Sequence, residues 1–240
     1  FDERMPEEIN RKLIDQLSNI LFVPTKVDIE NLKKERLLLN KKVFKVGNTI
    51  SDVIKKNIPL IKKNNILKTL KLLKDNYFLI TLHRPESVDD PVKFKKLILI
   101  FEKLGKKFNK RFIFPTHPRT KKMIKKMDIN KLNFIEFIDP LEFLNFLSLM
   151  KNSKIVFTDS GGVQEETSLL GVPCITIRKS TERQLTIKEK TNIITGYDYN
   201  KICNAIIYFN KNKIKASKIF GDGNVANKIF DKLKTIYKHN

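Results

Sequence analysis

Residues 154–166 read Lys-Ile-Val-Phe-Thr-Asp-Ser-Gly-Gly-Val-Gln-Glu-Glu, and their order is strand, turn, helix. Lys154–Thr158 is a short apolar run rich in β-branched residues, the pattern of a buried strand. Asp159-Ser160-Gly161-Gly162 turns the chain, and Val163–Leu170 reads as a helix that stops at Gly171. Such a turn gathers free backbone N–H groups at a helix start, where the dipole favours negative charge and missing Cβ atoms let a ligand come close. The stretch reads as a seat for phosphate. It also reads as an ordinary βα turn that uses glycine for its φ angles, and the tetrapeptide alone leaves both readings open.

The same alternation extends to either side. Helix Pro6–Ser18 is followed by strand Ile20–Val23, a helix near Lys26–Leu38 and strand Val43–Val46. Gly47-Asn48-Thr49 turns into another helix, and a Lys/Asn-rich connection follows through about Lys74. Strand Tyr77–Leu82, helix Val92–Phe108, strand Arg111–Thr116, helix Arg119–Met127, strand Phe134–Ile138, helix Leu141–Met150 and strand Pro173–Ile177 complete the pattern. The strands are near-continuous apolar runs, as expected where helices cover both faces of a parallel sheet. The fold class is therefore α/β with a doubly wound parallel sheet, a Rossmann-like arrangement. In such sheets ligands lie beyond the carboxyl ends of the strands.

Polar clusters fall at those ends: His83-Arg84-Pro85-Glu86, His117-Pro118-Arg119, Asp139-Pro140, Asp159 through Gly162, and Arg178 through Arg183. Five clusters on one rim favour a nucleotide or phosphosugar site over a purely structural rim. Ser160, Gly161 and Gly162 supply backbone donors. His83 and Arg183 are placed to offset diphosphate charge, which matters most if the diphosphate leaves. Glu166, one turn into its helix, can accept from a sugar hydroxyl pair. Phe143 and Phe146 offer a ring for a base, although for Phe143 core packing is the better reading.

Composition narrows the class. The formal charge of +22 comes from 48 Lys and Arg against 26 Asp and Glu. The lysines are spread along the whole chain, mostly on polar helix faces, so a compositional bias explains them better than a nucleic-acid stripe with interleaved aromatics. No apolar run approaches the roughly 18 residues that span a bilayer, and no signal-peptide pattern is present, so the reading is cytoplasmic with no membrane association. Cys174 sits in an apolar strand and reads as a buried small hydrophobe, while Cys203 is remote from any CxxC. His83, His117 and His239 lack ligand spacing, so no metal is expected.

Met5-Pro6-Glu7-Glu8-Ile9-Asn10-Arg11, Gly47-Asn48-Thr49, His83-Arg84-Pro85-Glu86, His117-Pro118, Asp159 through Glu166, and Thr181-Glu182-Arg183 occur in one order along essentially the whole chain. Together they resemble the non-hydrolysing UDP-N-acetylglucosamine 2-epimerases, whose fold is the two-domain glycosyltransferase-B type. The resemblance implies reversible inversion at C2, from UDP-GlcNAc to UDP-ManNAc, by elimination of UDP to a 2-acetamidoglucal and its re-addition, with no cofactor. It places diphosphate contacts on His83, Ser160, Gly161, Gly162 and Arg183, the ribose contact on Glu166, and uracil contacts on Phe146 and the backbone of Leu141. His83 and Glu7 fall on catalytic positions of the family, Glu7 as one of its acid/base carboxylates. Arg84 and His117, beside Glu7, match a second, regulatory UDP-GlcNAc site of bacterial members. The family is typically homodimeric.

On this reading residues 1–45 are the remnant of a first Rossmann-like domain, 46–220 the UDP-binding domain, and 221–240 a C-terminal helix packing back towards the first domain. The start at Phe1, and the lack of the family's earlier Arg, Lys, Asp and Glu, point to a fragment. Such a fragment is expected to bind UDP weakly or not at all, and not to epimerise. Gln184 stands where the family often has Pro, and Lys190 replaces a Gly. A hydrolysing epimerase or another glycosyltransferase-B nucleotide-sugar enzyme shares much of this pattern. A basic nucleic-acid-binding module is the alternative from a different class, and a remnant that only dimerises or misfolds is a further one.

Overall fold

The computed structural model describes residues 6–116, 118–126 and 132–238. The elements are α1 (Pro6–Leu17), β1 (Ile20–Val23), α2 (Lys26–Lys34), β2 (Lys42–Lys45), α3 (Ile50–Lys63), α4 (Ile66–Thr69), β3 (Tyr77–Thr81), α5 (Pro85–Val88) and α6 (Pro91–Phe108). They continue with β4 (Arg111–Pro115), α7 (Pro118–Lys126), β5 (Ile135–Ile138), α8 (Phe143–Asn152), β6 (Ile155–Thr158), α9 (Gly161–Leu170) and β7 (Cys174–Thr176). The last are α10 (Gln184–Lys188), β8 (Asn192–Ile194), α11 (Tyr199–Lys211) and α12 (Val225–Tyr237). Contacts divide the chain into two compact units, Asn57–Ser217 and a second formed by Phe1–Lys56 with Lys218–Asn240.

In the smaller unit β1 and β2 pair in parallel, Ile20 opposite Lys42, over a core of Leu21, Val23, Leu32 and Leu37. Asp28 accepts from the N–H and hydroxyl of Thr25 at 2.9 and 2.7 Å, which fixes the start of α2. Arg11 is gripped by Glu8, Asp15 and Glu35 at 2.8, 2.7 and 2.9 Å, so α1 is tied to the end of α2. Asp52, in the first turn of α3, accepts the N–H groups of Val225 and Ala226 at 2.8 and 2.7 Å. Two donors left open at the start of α12 are thereby satisfied.

The larger unit holds six parallel strands in the order β5-β4-β3-β6-β7-β8. Numbered from β3, this is the doubly wound order 3-2-1-4-5-6, with the direction of winding reversing between β3 and β6. Side chains two apart share a face. Phe78 and Ile80 of β3, Phe112 and Phe114 of β4, and Ile155 and Phe157 of β6 meet α6 and α11 through Phe94, Leu97, Phe101, Ile202 and Ile206. Phe78, Phe101, Phe112 and Phe157 form a buried ring cluster with centroids 4.9–5.5 Å apart. Cys174 is fully buried in β7, and burial pushes its thiol up to about 12, which fits an inert packing role.

Three differences from the sequence expectation have local causes. The Lys/Asn-rich connection contains α4, held because Ile66 and Leu72 are buried. The helix after Gly162 begins at Gly161, because Ser160 is extended (φ −89°, ψ 132°) and already occupies the N-cap position. The alternation also runs on through α10, β8 and α11. The strand Asn192-Ile193-Ile194 is too short to show a period of its own.

Candidate functional site

The reversal between β3 and β6 sets the two loops that follow these strands at a crevice. The β3 loop brings His83 and Arg84, and the β6 loop brings Asp159, Ser160 and Gly161. Asp159 is wholly buried and ties the two loops together. It accepts the N–H of His83 at 3.1 Å and the N–H of Arg84 at 3.0 Å. His83 Nδ1 lies 3.5 Å from Asp159 Oδ1, while the rest of the imidazole is more than half exposed. Ser160 N–H donates to Thr158 Oγ1 at 3.0 Å, turning the chain into α9.

Gly161 matters for its missing side chain. A Cβ there would sit 2.5 Å from Glu182 Oε1 and 3.7 Å from Arg183 Cζ. Glu182 therefore lies over the seat, drawing in Arg178 at 3.0 Å, Arg183 at 3.7 Å and Arg84 at 3.9 Å. Burial pushes the Glu182 carboxyl up, but its own backbone N–H and the Arg178 and Arg183 guanidiniums more than offset this and hold it below its ordinary value. Arg183 also pairs through Nε with Glu165, which is almost fully buried one turn into α9. Three guanidiniums thus converge on the Glu182 carboxylate beside the start of α9, a grouping that can hold an anion there.

Gln164 braces this arrangement from behind. Its amide donates to Ser160 O at 3.1 Å, and its Oε1 accepts from Thr181 at 2.7 Å and Asn192 at 3.0 Å. Asn192 in turn donates to Thr186 at 3.1 Å and accepts from Thr176 at 2.8 Å. A buried network satisfied at every member holds the Ser160 turn and the Arg183 loop in fixed register.

Glu166 is half-buried beside Glu165, and burial, with the Glu165 charge adding, pushes its carboxyl up to about 7. Phe146, on α8, and Leu141, just before it, are both half-buried. Phe143 corrects the expectation of core packing: it is the first residue of α8 and is 46% exposed, the buried face being Leu147, Leu149 and Met150. The structure thus brings together His83, Arg84, Ser160, Gly161 and Arg183, with Gly162 exposed in the first turn of α9. Arg84, assigned by resemblance to a regulatory site, shares Glu182 with Arg183. His117 and the Glu7 side chain lie outside the described residues.

Asp159 and Glu182 fell within the polar clusters of the rim and Gln164 and Glu165 within the motif that follows, but the sequence assigned none of the four a role. Asp159 carried the one available signal, a carboxylate placed between a strand end and Ser-Gly-Gly. Among the described residues there is no cluster of three or more metal-ligating side chains and no helix long and apolar enough to cross a membrane.

A family model described as UDP-N-acetylglucosamine 2-epimerase matches residues 1–234. The UDP-N-acetylglucosamine 2-epimerase of Methanococcus maripaludis is 40% identical over 245 residues, with 98% of this chain and 67% of that protein covered. A UDP-2,3-diacetamido-2,3-dideoxy-D-glucuronate 2-epimerase of Pseudomonas aeruginosa is 34% identical, covering 97% of this chain and 64% of that protein. The crystal structure of Methanocaldococcus jannaschii UDP-GlcNAc 2-epimerase with UDP-GlcNAc and UDP superposes with a TM-score of 0.86 at 40% identity, covering 98% of this chain and 66% of that one. The chain therefore spans about two thirds of the length of the relatives it matches.

Proposed function

The chain belongs to the UDP-N-acetylglucosamine 2-epimerase family, and on that premise we propose that residues 57–217 hold the UDP moiety of a UDP-2-acetamido sugar while the whole protein inverts C2. The observation that carries this reading is the meeting of Ser160, Gly161, His83 and Arg183 at the reversal point of the sheet. The diphosphate sits at the start of α9 against the backbone N–H groups, with Arg183 and His83 offsetting its charge. Glu166 accepts from the ribose, and Phe146 and the Leu141 backbone meet the uracil.

The same groups serve the chemistry. A base takes the proton from C2 as the C1–oxygen bond breaks, giving the 2-acetamidoglucal and free UDP. Charge accumulates on the departing diphosphate, and preorganised donors stabilise it there with no reorganisation at the moment of reaction. Re-addition of UDP at C1 and return of a proton to the other face of C2 gives the inverted sugar. Glu7 is one of the acid/base carboxylates. The protein works as a cytoplasmic homodimer.

The test is a titration of the ¹⁵N-labelled 240-residue chain with UDP, followed by amide shifts. Ser160, Gly161 and Gly162 are expected to move with a dissociation constant on the order of 1 mM. A flat response to about 5 mM UDP, together with DNA binding that weakens steeply in salt, would favour a basic nucleic-acid module instead.

A further inference from the structure

We propose that Asp159 is the positioning residue of this site: it sets the His83–Arg84 turn and fixes the imidazole with Nδ1 turned inward and Nε2 presented to the diphosphate. The role rests on the UDP reading of the crevice.

A carboxylate with no exposed surface is costly unless donors surround it. Asp159 is compensated from the opposite loop, by the N–H groups of His83 at 3.1 Å and Arg84 at 3.0 Å and by the His83 ring at 3.5 Å. Residues 82–84 lie between β3 and α5 in neither helix nor strand, so sheet pairing does not hold them. Arg84 precedes Pro85 and is extended (φ −70°, ψ 142°), as a residue before proline prefers. Its N–H therefore points to the carboxylate and not into a helix. One side chain from the loop that leads out of β6 into Ser160-Gly161-Gly162 thus sets where both His83 and Arg84 stand.

The ring contact has a chemical consequence. A carboxylate only accepts, so a ring nitrogen facing it at 3.5 Å is favoured to carry the hydrogen, and Nδ1 is that nitrogen. The outward atom, Nε2, then accepts in the neutral ring and donates in the imidazolium. A phosphate oxygen can only accept, so the imidazolium is the form that bridges Asp159 to the diphosphate.

Long-range ¹H–¹⁵N spectra of the unliganded chain report the tautomer directly, with His83 assigned by its loss in His83→Asn. The expected neutral form carries hydrogen on Nδ1. Asp159→Asn is expected to return His83 towards the Nε2–H form and to weaken UDP binding about 10-fold or more. In a double-mutant cycle with His83→Ala the two losses are expected not to add. An Nε2–H tautomer in the wild-type chain, or additive losses, would overturn the role. If Asp159→Asn does not fold, the wild-type tautomer alone decides. If UDP moves no resonance the binding reading fails, and the tautomer still shows by itself whether Asp159 orients the ring.

Discussion

At the scale of single residues, Gly161 and Glu166 separate binding from stability. Gly161 is the first residue of α9 and has no left-handed φ, so alanine fits its backbone. The added Cβ would press on Glu182 Oε1, the far end of a side chain and not backbone. Gly161→Ala should therefore leave the melting temperature unchanged or slightly raised, while UDP affinity falls about 10-fold as the seat is filled. Parallel thermal melts and titrations check this, and unchanged affinity would remove Gly161 from the seat. Glu166 has its folded pKa near 7 against an ordinary 4.5. Below 4.5 both states hold the proton and nothing is lost. Between 4.5 and 7 the unfolded chain ionises first, so stability falls as pH rises and stays low above 7. Glu166→Gln abolishes that loss. Its stability relative to wild type, from urea unfolding, should climb by about 3 kcal/mol between pH 4.5 and pH 8.

Secondary-structure elements tell which parts the sequence could reveal. β3, β4 and β6 were readable because each is centred on a run of at least three apolar residues buried on both faces, and their parallel order followed from the alternation with helices. The Ser160 turn was readable because glycine after a strand end has few uses. The bracing behind it was not. Gln164, Thr181 and Asn192 lie far apart in sequence and are joined only by folding, and nothing local marks a buried glutamine as distinct from a surface one. The choice between Glu165 and Glu166 was equally hidden, since the facing of two adjacent residues depends on where α9 starts. Gln164→Met keeps the volume but strips Ser160 O, Thr181 and Asn192 of a partner. It should cost about 3 kcal/mol in urea unfolding and loosen the Arg183 loop. A loss within about 0.5 kcal/mol would mean that the network is not what braces the turn. Phe157→Ala, in the ring cluster under β6, should cost about 3–5 kcal/mol by leaving a cavity.

The whole molecule adds the question of which part suffices for binding. His83, Arg84, Leu141, Phe146, Ser160, Gly161, Gly162, Glu166 and Arg183 all lie within Asn57–Ser217. That unit has its own sheet and its own aromatic core, the marks of a part able to fold alone. Cutting at residue 57 would divide α3, so the excised piece should begin at Asn48, whose side chain accepts the N–H of Ile50 at 3.0 Å at the start of that helix. Residues 48–217 are then expected to unfold in one cooperative transition. They should bind UDP within about 3-fold of the 240-residue chain, a difference of under about 1 kcal/mol. A piece that folds, shown by dispersed amide resonances, yet no longer binds would place a needed UDP contact outside 48–217. A piece that does not fold would show that the larger unit depends on the rest of the chain for its stability, even though no described site residue comes from there.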